Sequence, residues 1–301
     1  MSNSTLMKAL KAVNFISDSS VSGEKLKRHR VAMERAGRIA APKGDVDVTA
    51  FSVGNIACES IRPELAHNPR YAIMYVHGGG YVCGGLSYAR ILAAKMAEAT
   101  GFTAYTFDYR LAPENPYPAA LDDALAVWDD LTSGRYAPDH IILAGESAGG
   151  NLALCLTQKL IEEKRAVPSQ LILFSPWTDM TASASSYETN AEVDPILTKE
   201  YVQSAARVYI SDAGDASDKR FSPLFGTITG LPPVYIMAGR NEILLDDSTR
   251  LYEAVIKAGG NAHLDIEESG WHVYQQTPVP IASRAMKRMS AYISEQVYGD
   301  N

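Results

Sequence analysis

Apolar residues along this chain gather in short runs of five or six, separated by longer stretches in which apolar and polar positions interleave. Strand-like runs fall at 46–53, 71–76, 102–107, 140–144, 170–174, 234–238 and 262–267. The central ones, Ala72-Ile73-Met74-Tyr75-Val76 and Ile141-Ile142-Leu143-Ala144 among them, are apolar throughout rather than alternating. That is the pattern of strands covered on both faces. Helix-like runs near 87–99, 118–132, 150–164, 247–258 and 280–297 mostly separate them. The alternation predicts an α/β fold, a mainly parallel sheet with helices on either side. Two segments break the rhythm. Residues 1–42 carry two amphipathic stretches, the first with Met7, Leu10, Val13 and Ile16, and Pro42-Lys43-Gly44 sets them apart from the first strand. Residues 181–220 open with a Ser/Thr-rich run and hold a helix-like piece, Thr198 to Ile210, for which Asp194-Pro195 is the expected start.

The chemistry begins behind the run 140–144, at Gly145-Glu146-Ser147-Ala148-Gly149. Strand, sharp turn and helix form the context in which G-x-S-x-G reads as a nucleophile elbow. So tight a turn strains the serine backbone and leaves little room for neighbouring side chains, hence the glycines. It also aims the first helical N–H groups at a carbonyl under attack. Upstream, His77-Gly78-Gly79-Gly80 closes the run 71–76. Consecutive glycines after a buried strand let the backbone approach a ligand and present bare N–H donors, the other half of an oxyanion hole.

A serine nucleophile needs a base and the base an orienting acid. Of six histidines, His29 lies in a charged stretch, His67 in a polar turn, and His140 at the foot of the elbow strand. His263 opens the last strand, and His77 belongs to the glycine loop. His272, in the loop after strand 262–267, is where the order serine, acid, histidine requires the base. The acid has more than one candidate. Glu242 sits three residues past Gly239, in the turn at the strand's C-terminal edge where sites of open α/β sheets form. Asp246 and Asp247 read as N-cap and first-turn charges of the following helix. Asp179 follows Phe174-Ser175-Pro176-Trp177 in a loop that opens to the same edge. Glu242 is the expected acid, with Asp246 and Asp179 as alternatives.

Taken together, His77-Gly78-Gly79-Gly80, Asp108-Tyr109-Arg110-Leu111-Ala112-Pro113-Glu114 and Gly145-Glu146-Ser147-Ala148-Gly149-Gly150 resemble the hormone-sensitive-lipase family of α/β-hydrolases, the bacterial family IV esterases. Ser222-Pro223-Leu224, Leu231-Pro232-Pro233 and Trp271-His272-Val273 continue the resemblance in order, over about residues 45–295. It implies an α/β-hydrolase fold with a helical cap: N-terminal cap helices in 1–42, a catalytic domain in 43–180 and 221–301, and a cap insertion in 181–220. It implies a carboxylesterase, with N–H donors from Gly79, Gly80 and Ala148 collecting the oxyanion, and no metal or organic cofactor. The chain departs from the family's usual aspartates at Glu146 and Glu242. The segment 108–114 reads as support, its charges locking the loop beneath the glycine turn.

Composition narrows the rest. With 301 residues and a net charge of −7, the chain suits one large domain. No basic patch with interleaved aromatics points to nucleic acid. The stretch Met7–Ile16 is interrupted by Lys8, Lys11 and Asn14, reading as a helix rather than a leader, and no apolar run has membrane-spanning length. A cytoplasmic enzyme acting on a small-molecule ester is expected, with homodimerisation open. Cys58, Cys83 and Cys155 lack metal-ligand spacing and read as reduced buried thiols, Cys83 being near enough to the glycines to line the site. An amidase, arylformamidase or carbohydrate deacetylase on the same triad is the alternative, and a non-catalytic, receptor-like member a remoter one.

Overall fold

The computed structural model describes residues 21–40, 46–64 and 68–299. Eight strands form one sheet in the order β1-β2-β4-β3-β5-β6-β7-β8. They are β1 (Val46–Val53), β2 (Ile56–Pro63), β3 (Ala72–Val76), β4 (Thr103–Phe107), β5 (Ile141–Glu146), β6 (Gln170–Phe174), β7 (Val234–Gly239) and β8 (Ala262–Glu267). Only β2 runs antiparallel to its neighbours, and the strands from β4 to β8 are parallel. Strand β2 is absent from the sequence reading. Its Cys58-Glu59-Ser60 breaks the apolar run, yet Glu59 is buried because Arg90 Nε donates to its carboxylate at 3.0 Å. Strand β1 turns into β2 at Gly54-Asn55, with Gly54 at φ +56°, a value that favours glycine.

Every residue of β3 to β7 is buried, as continuous apolar runs require. Their side chains alternate between two cores. Met74, Leu143 and Leu171 face the core of helices α3 (Ala119–Thr132) and α4 (Ala148–Glu162). Ile73, Ile142 and Ile172 face the core of α2 (Leu86–Thr100) and α8 (Pro280–Tyr298). The predicted α/β architecture is therefore observed, with the helices close to their expected positions.

The described parts of the two segments outside the strand–helix rhythm come together over the C-terminal ends of the parallel strands. The first contributes α1 (Gly23–Ala40), while Met7, Leu10, Val13, Ile16, the Pro42-Lys43-Gly44 boundary and His67 lie outside the described residues. Arg30 of α1 donates to the Val82 and Ala112 carbonyls at 2.7 and 2.8 Å and forks onto Glu114. Glu34 accepts from the Ser87 and Tyr88 N–H groups at 3.2 and 3.1 Å, the opening turn of α2. The second segment holds the single turn α5 (Ser186–Thr189) and α6 (Lys199–Ile210). Helix α6 is started by Thr198, whose side chain accepts from Tyr201 N, and not by Asp194-Pro195. Asp194 instead closes a turn by accepting from Ile196 and Leu197 N–H at 2.8 and 2.9 Å. Helix α7 (Leu245–Lys257) follows β7.

Trp128, buried on the inner face of α3, tests the core beneath the sheet. Trp128→Ala is expected to cost about 3–5 kcal/mol of unfolding free energy, measured by denaturant titration.

Candidate active site

Parallel strands that end level with one another put their C-terminal turns side by side. Val76 pairs with Gly145, and Glu146 with Phe174, so the turns after β3, β5 and β6 meet at one edge. The turn after β5 is a true elbow. Ser147 has φ +54° and ψ −120°, a strained region for a residue with a side chain, and it directly precedes α4. Backbone bonds hold it there: Ser147 N donates to Phe174 O at 2.9 Å, and Ser147 O accepts from Trp177 N and Asn151 N at 3.1 Å each. A Cβ on Gly145 would overlap the Gly149 carbonyl, and one on Gly149 would overlap the Val76 and His77 carbonyls. The flanking glycines are thus demanded by backbone-to-backbone approach.

The loop after β3 meets this elbow. A Cβ on Gly78 would lie 2.8 Å from Glu146 O. Gly79 and Gly80 follow with φ +108° and +64°. Among the described residues no acceptor takes a hydrogen bond from the N–H of either glycine. Ala148 is the first residue of α4, a position whose N–H has no partner within the helix. His77 supports the loop: its Nδ1 bonds Gly78 O at 2.8 Å, its ring stacks on Tyr109, and burial pulls its pKa down to about 4. Tyr109 donates to the His77 carbonyl at 2.9 Å. Arg110 forks onto Asp123, with its NH2 at 2.8 Å, while Glu114 takes Arg30. The segment 108–114 is therefore scaffold beneath the glycine loop, as its charges suggested.

Of the acid candidates, Glu242 alone reaches His272. Its Oε2 lies 2.8 Å from His272 Nδ1, and its Oε1 accepts from Gly239 N at 2.8 Å and Ser175 Oγ at 3.0 Å. Ser175 Oγ in turn accepts from Val273 N at 3.1 Å, so one hydroxyl aligns acid and histidine loops. Glu242 is fully buried. Asp246 instead accepts from Ser185 Oγ and Ser186 N at 2.8 and 2.9 Å. Asp179 binds Arg250 NH1 at 2.7 Å. Burial raises the Asp179 carboxyl, but bonds from Thr181, Arg250 and Ser183 outweigh it and hold it below the usual range. Asp247 accepts from Thr178 and Asp179 N–H at 2.7 and 2.8 Å, and burial pushes it up to about 7. These three carboxylates organise loops.

Gly79, Gly80, Ser147 and His272 line one cavity of about 330 Å³. Its remaining walls are mostly apolar: Tyr201, Val202 and Ala205 of α6, Met33 and Ala36 of α1, and Trp177. His29 lines it too, although its charged neighbours gave no hint of this; α1 turns it inward, and burial lowers its pKa. Cys83 does not line the cavity, and all three cysteines are buried free thiols. Among the described residues no group of three or more His, Cys, Asp and Glu is placed to hold a metal ion. Nor is any helix among them long and apolar enough to cross a membrane.

Two further buried carboxyls border the site. Asp194 accepts from Ile243 N at 2.8 Å, next to Glu242, and Asn190 Nδ2 donates to the Glu242 carbonyl at 2.8 Å. Burial pushes Asp194 up to about 6, opposed by the nearby His272 and by backbone bonds. Glu146 is fully buried beside the serine, and burial pushes it up to about 8 against the pull of its Tyr75 and Gly78 bonds. A carboxyl raised in the folded state keeps its proton longer than in the unfolded chain. Its contribution is therefore full below about pH 4.5 and is lost as pH rises through about 8. Glu146→Gln is expected to flatten the decline of the thermal midpoint between these limits, followed by calorimetry at a series of pH values.

A family model for the alpha/beta hydrolase fold matches residues 73–276. An esterase of Acinetobacter venetianus is 33% identical over 246 residues, 82% of this chain and 80% of that protein. An acetyl-hydrolase of Streptomyces hygroscopicus is 32% identical over 273 residues, 88% of each chain. Among solved structures, a hormone-sensitive lipase from a metagenome library superposes with a TM-score of 0.91 at 31% identity, covering 99% of both chains. An esterase from the bacterial hormone-sensitive lipase family gives 0.90 at 29% identity, over 99% of this chain and 100% of that one. The protein belongs to the α/β-hydrolase fold family, on its hormone-sensitive-lipase branch.

Proposed function

We propose that this protein is a carboxylesterase that cleaves small-molecule esters of short to medium acyl chain through an acyl-enzyme, with Ser147, His272 and Glu242 as its triad. The observation that carries the reading is the 2.8 Å bond from buried Glu242 to Nδ1 of His272, which lines one cavity with the strained Ser147. With Nδ1–H given to Glu242, the tautomer leaves Nε2 free to accept a proton. His272 Nε2 takes the proton of Ser147 Oγ as the oxygen attacks the ester carbonyl. The carbonyl oxygen becomes an oxyanion and collects the N–H groups of Gly79, Gly80 and Ala148. The imidazolium then protonates the departing alcohol, and the C–O bond of the ester breaks. Water, deprotonated by His272, repeats the sequence to release the acid and restore Ser147.

The apolar walls favour an uncharged ester, and α1 with the segment 181–220 serves as the cap that excludes water. The relatives point the same way: one is named an esterase, another an acetyl-hydrolase. On the same reading the protein acts in the cytoplasm and can pair as a homodimer.

Hydrolysis of p-nitrophenyl esters from C2 to C16 tests it. Short esters are expected to turn over in the wild type, with kcat down about a millionfold in Ser147→Ala. Glu242→Gln is expected to lose roughly ten-thousandfold, since a neutral amide favours the wrong tautomer. Near-normal activity in Glu242→Gln would remove Glu242 from the triad. A wild type inert on every ester would sink the esterase assignment and turn attention to amides and sugar acetates.

A further inference from the structure

One buried carboxyl at the site has no part in the proton transfers above. Glu146 precedes Ser147, and its side chain runs beneath the glycine loop rather than into the cavity. Its Oε1 accepts from Gly78 N at 2.7 Å and from Gln276 Nε2 at 3.3 Å, and its Oε2 accepts from the Tyr75 hydroxyl. These partners come from three segments: the strand before the glycine loop, the loop itself, and the turn that follows His272. That turn is fixed from its other side, where Lys95 Nζ donates to the Gln275 and Gln276 carbonyls at 2.7 and 3.1 Å.

We propose that Glu146 is a positioning residue, the tie that sets the glycine loop for oxyanion binding and couples it to the histidine loop. The inference rests on the esterase reading for its kinetic consequence, but not for its structural one. Carbonyl-side restraints on the loop come from His77 Nδ1 on Gly78 O, Tyr109 on His77 O, and the Val82 and Cys83 N–H groups on Gly79 O. The Gly78 N–H is the restraint on the opposite side, and among the described residues only Glu146 accepts from it. Gly79 and Gly80 take left-handed conformations, and the Gly78 peptide that leads into them is held through its N–H by Glu146. Leaving Gly78 N buried without an acceptor would itself favour a different loop path. A carboxyl is suited to the task because it accepts from several donors at once.

Glu146→Gln keeps an acceptor oxygen at the Oε1 position, whereas Glu146→Ala removes it and Tyr75→Phe removes only the donor that orients the carboxyl. Two measurements are made on each folded variant. The first is backbone hydrogen–deuterium exchange of the segment 77–83. It is expected to quicken about tenfold or more in Glu146→Ala, less in Tyr75→Phe, and little in Glu146→Gln. The second is kinetics on p-nitrophenyl butyrate with inhibition by an alkyl trifluoromethyl ketone, whose adduct carries the oxyanion. A fall in kcat of up to about a hundredfold in Glu146→Ala is expected, with KM within about threefold and matching loss of ketone affinity. Partial retention in Glu146→Gln completes the expected pattern. Unchanged exchange at 77–83 in the folded variants would overturn the proposal, as would a loss confined to KM. Should Glu146→Ala not fold, unchanged exchange in Tyr75→Phe overturns it alike. An inert wild type would refute the esterase reading alone, the exchange data still deciding the role of Glu146.

Discussion

The site depends on the close approach of two backbones, the elbow at Ser147 and the glycine loop after β3. They come so near that a Cβ on Gly78 would crowd the Glu146 carbonyl and one on Gly149 would collide with the Val76 and His77 carbonyls. Such an approach is possible because β3 and β5 are neighbouring parallel strands ending at the same level. It leaves the serine in a conformation that an isolated peptide would avoid, held by bonds to Phe174, Trp177 and Asn151. Strain at one residue is thus stabilised by the ordinary ladder of a buried sheet.

Around this contact the polar groups divide their work. Glu242, aligned by Gly239 N and Ser175, meets His272, and Ser175 also holds the backbone after that histidine. Asp194 and Asn190, from the segment that interrupts the strand–helix rhythm, bind the backbone around Glu242. The stretch that supplies the apolar wall of α6 is therefore also bonded to the acid loop after β7. Arg30 and Glu34 tether α1 to the segments flanking the glycine loop in a comparable way. Both walls of the cavity are consequently fastened to the loops that surround Ser147 and His272.

Much of this was legible beforehand. Fully apolar runs announced buried parallel strands, because a strand covered on both faces has no polar positions to alternate. The glycines at 145 and 149 and at 78–80 announced close backbone approach, which nothing larger permits. Chain order singled out His272, which the fold brings against Glu242. Strand β2 escaped notice because Glu59 looks solvent-facing until Arg90, from a distant helix, neutralises it. Asp194-Pro195 resembled a helix start, but its carboxylate serves a nearer turn and the acid loop instead. His29 was hidden because the inward face of α1 exists only once α1 lies across the sheet edge.

The sequence by itself determined the fold class, the places of the strained turn at Ser147 and of the glycine loop, and the order in which Ser147, Glu242 and His272 occur. Those are properties of local pattern: periodicity, glycine placement and spacing. It favoured Glu242 as the acid but kept Asp246 and Asp179 as alternatives, since all three lie near turns at the same sheet edge. Only the tertiary structure decided which carboxylate meets the histidine, because that depends on angstrom-scale distances between loops far apart in the chain. The role of Glu146 has the same origin. A carboxylate read from sequence is a charge of unknown partner, and its chemistry is fixed by the donors that folding brings to it.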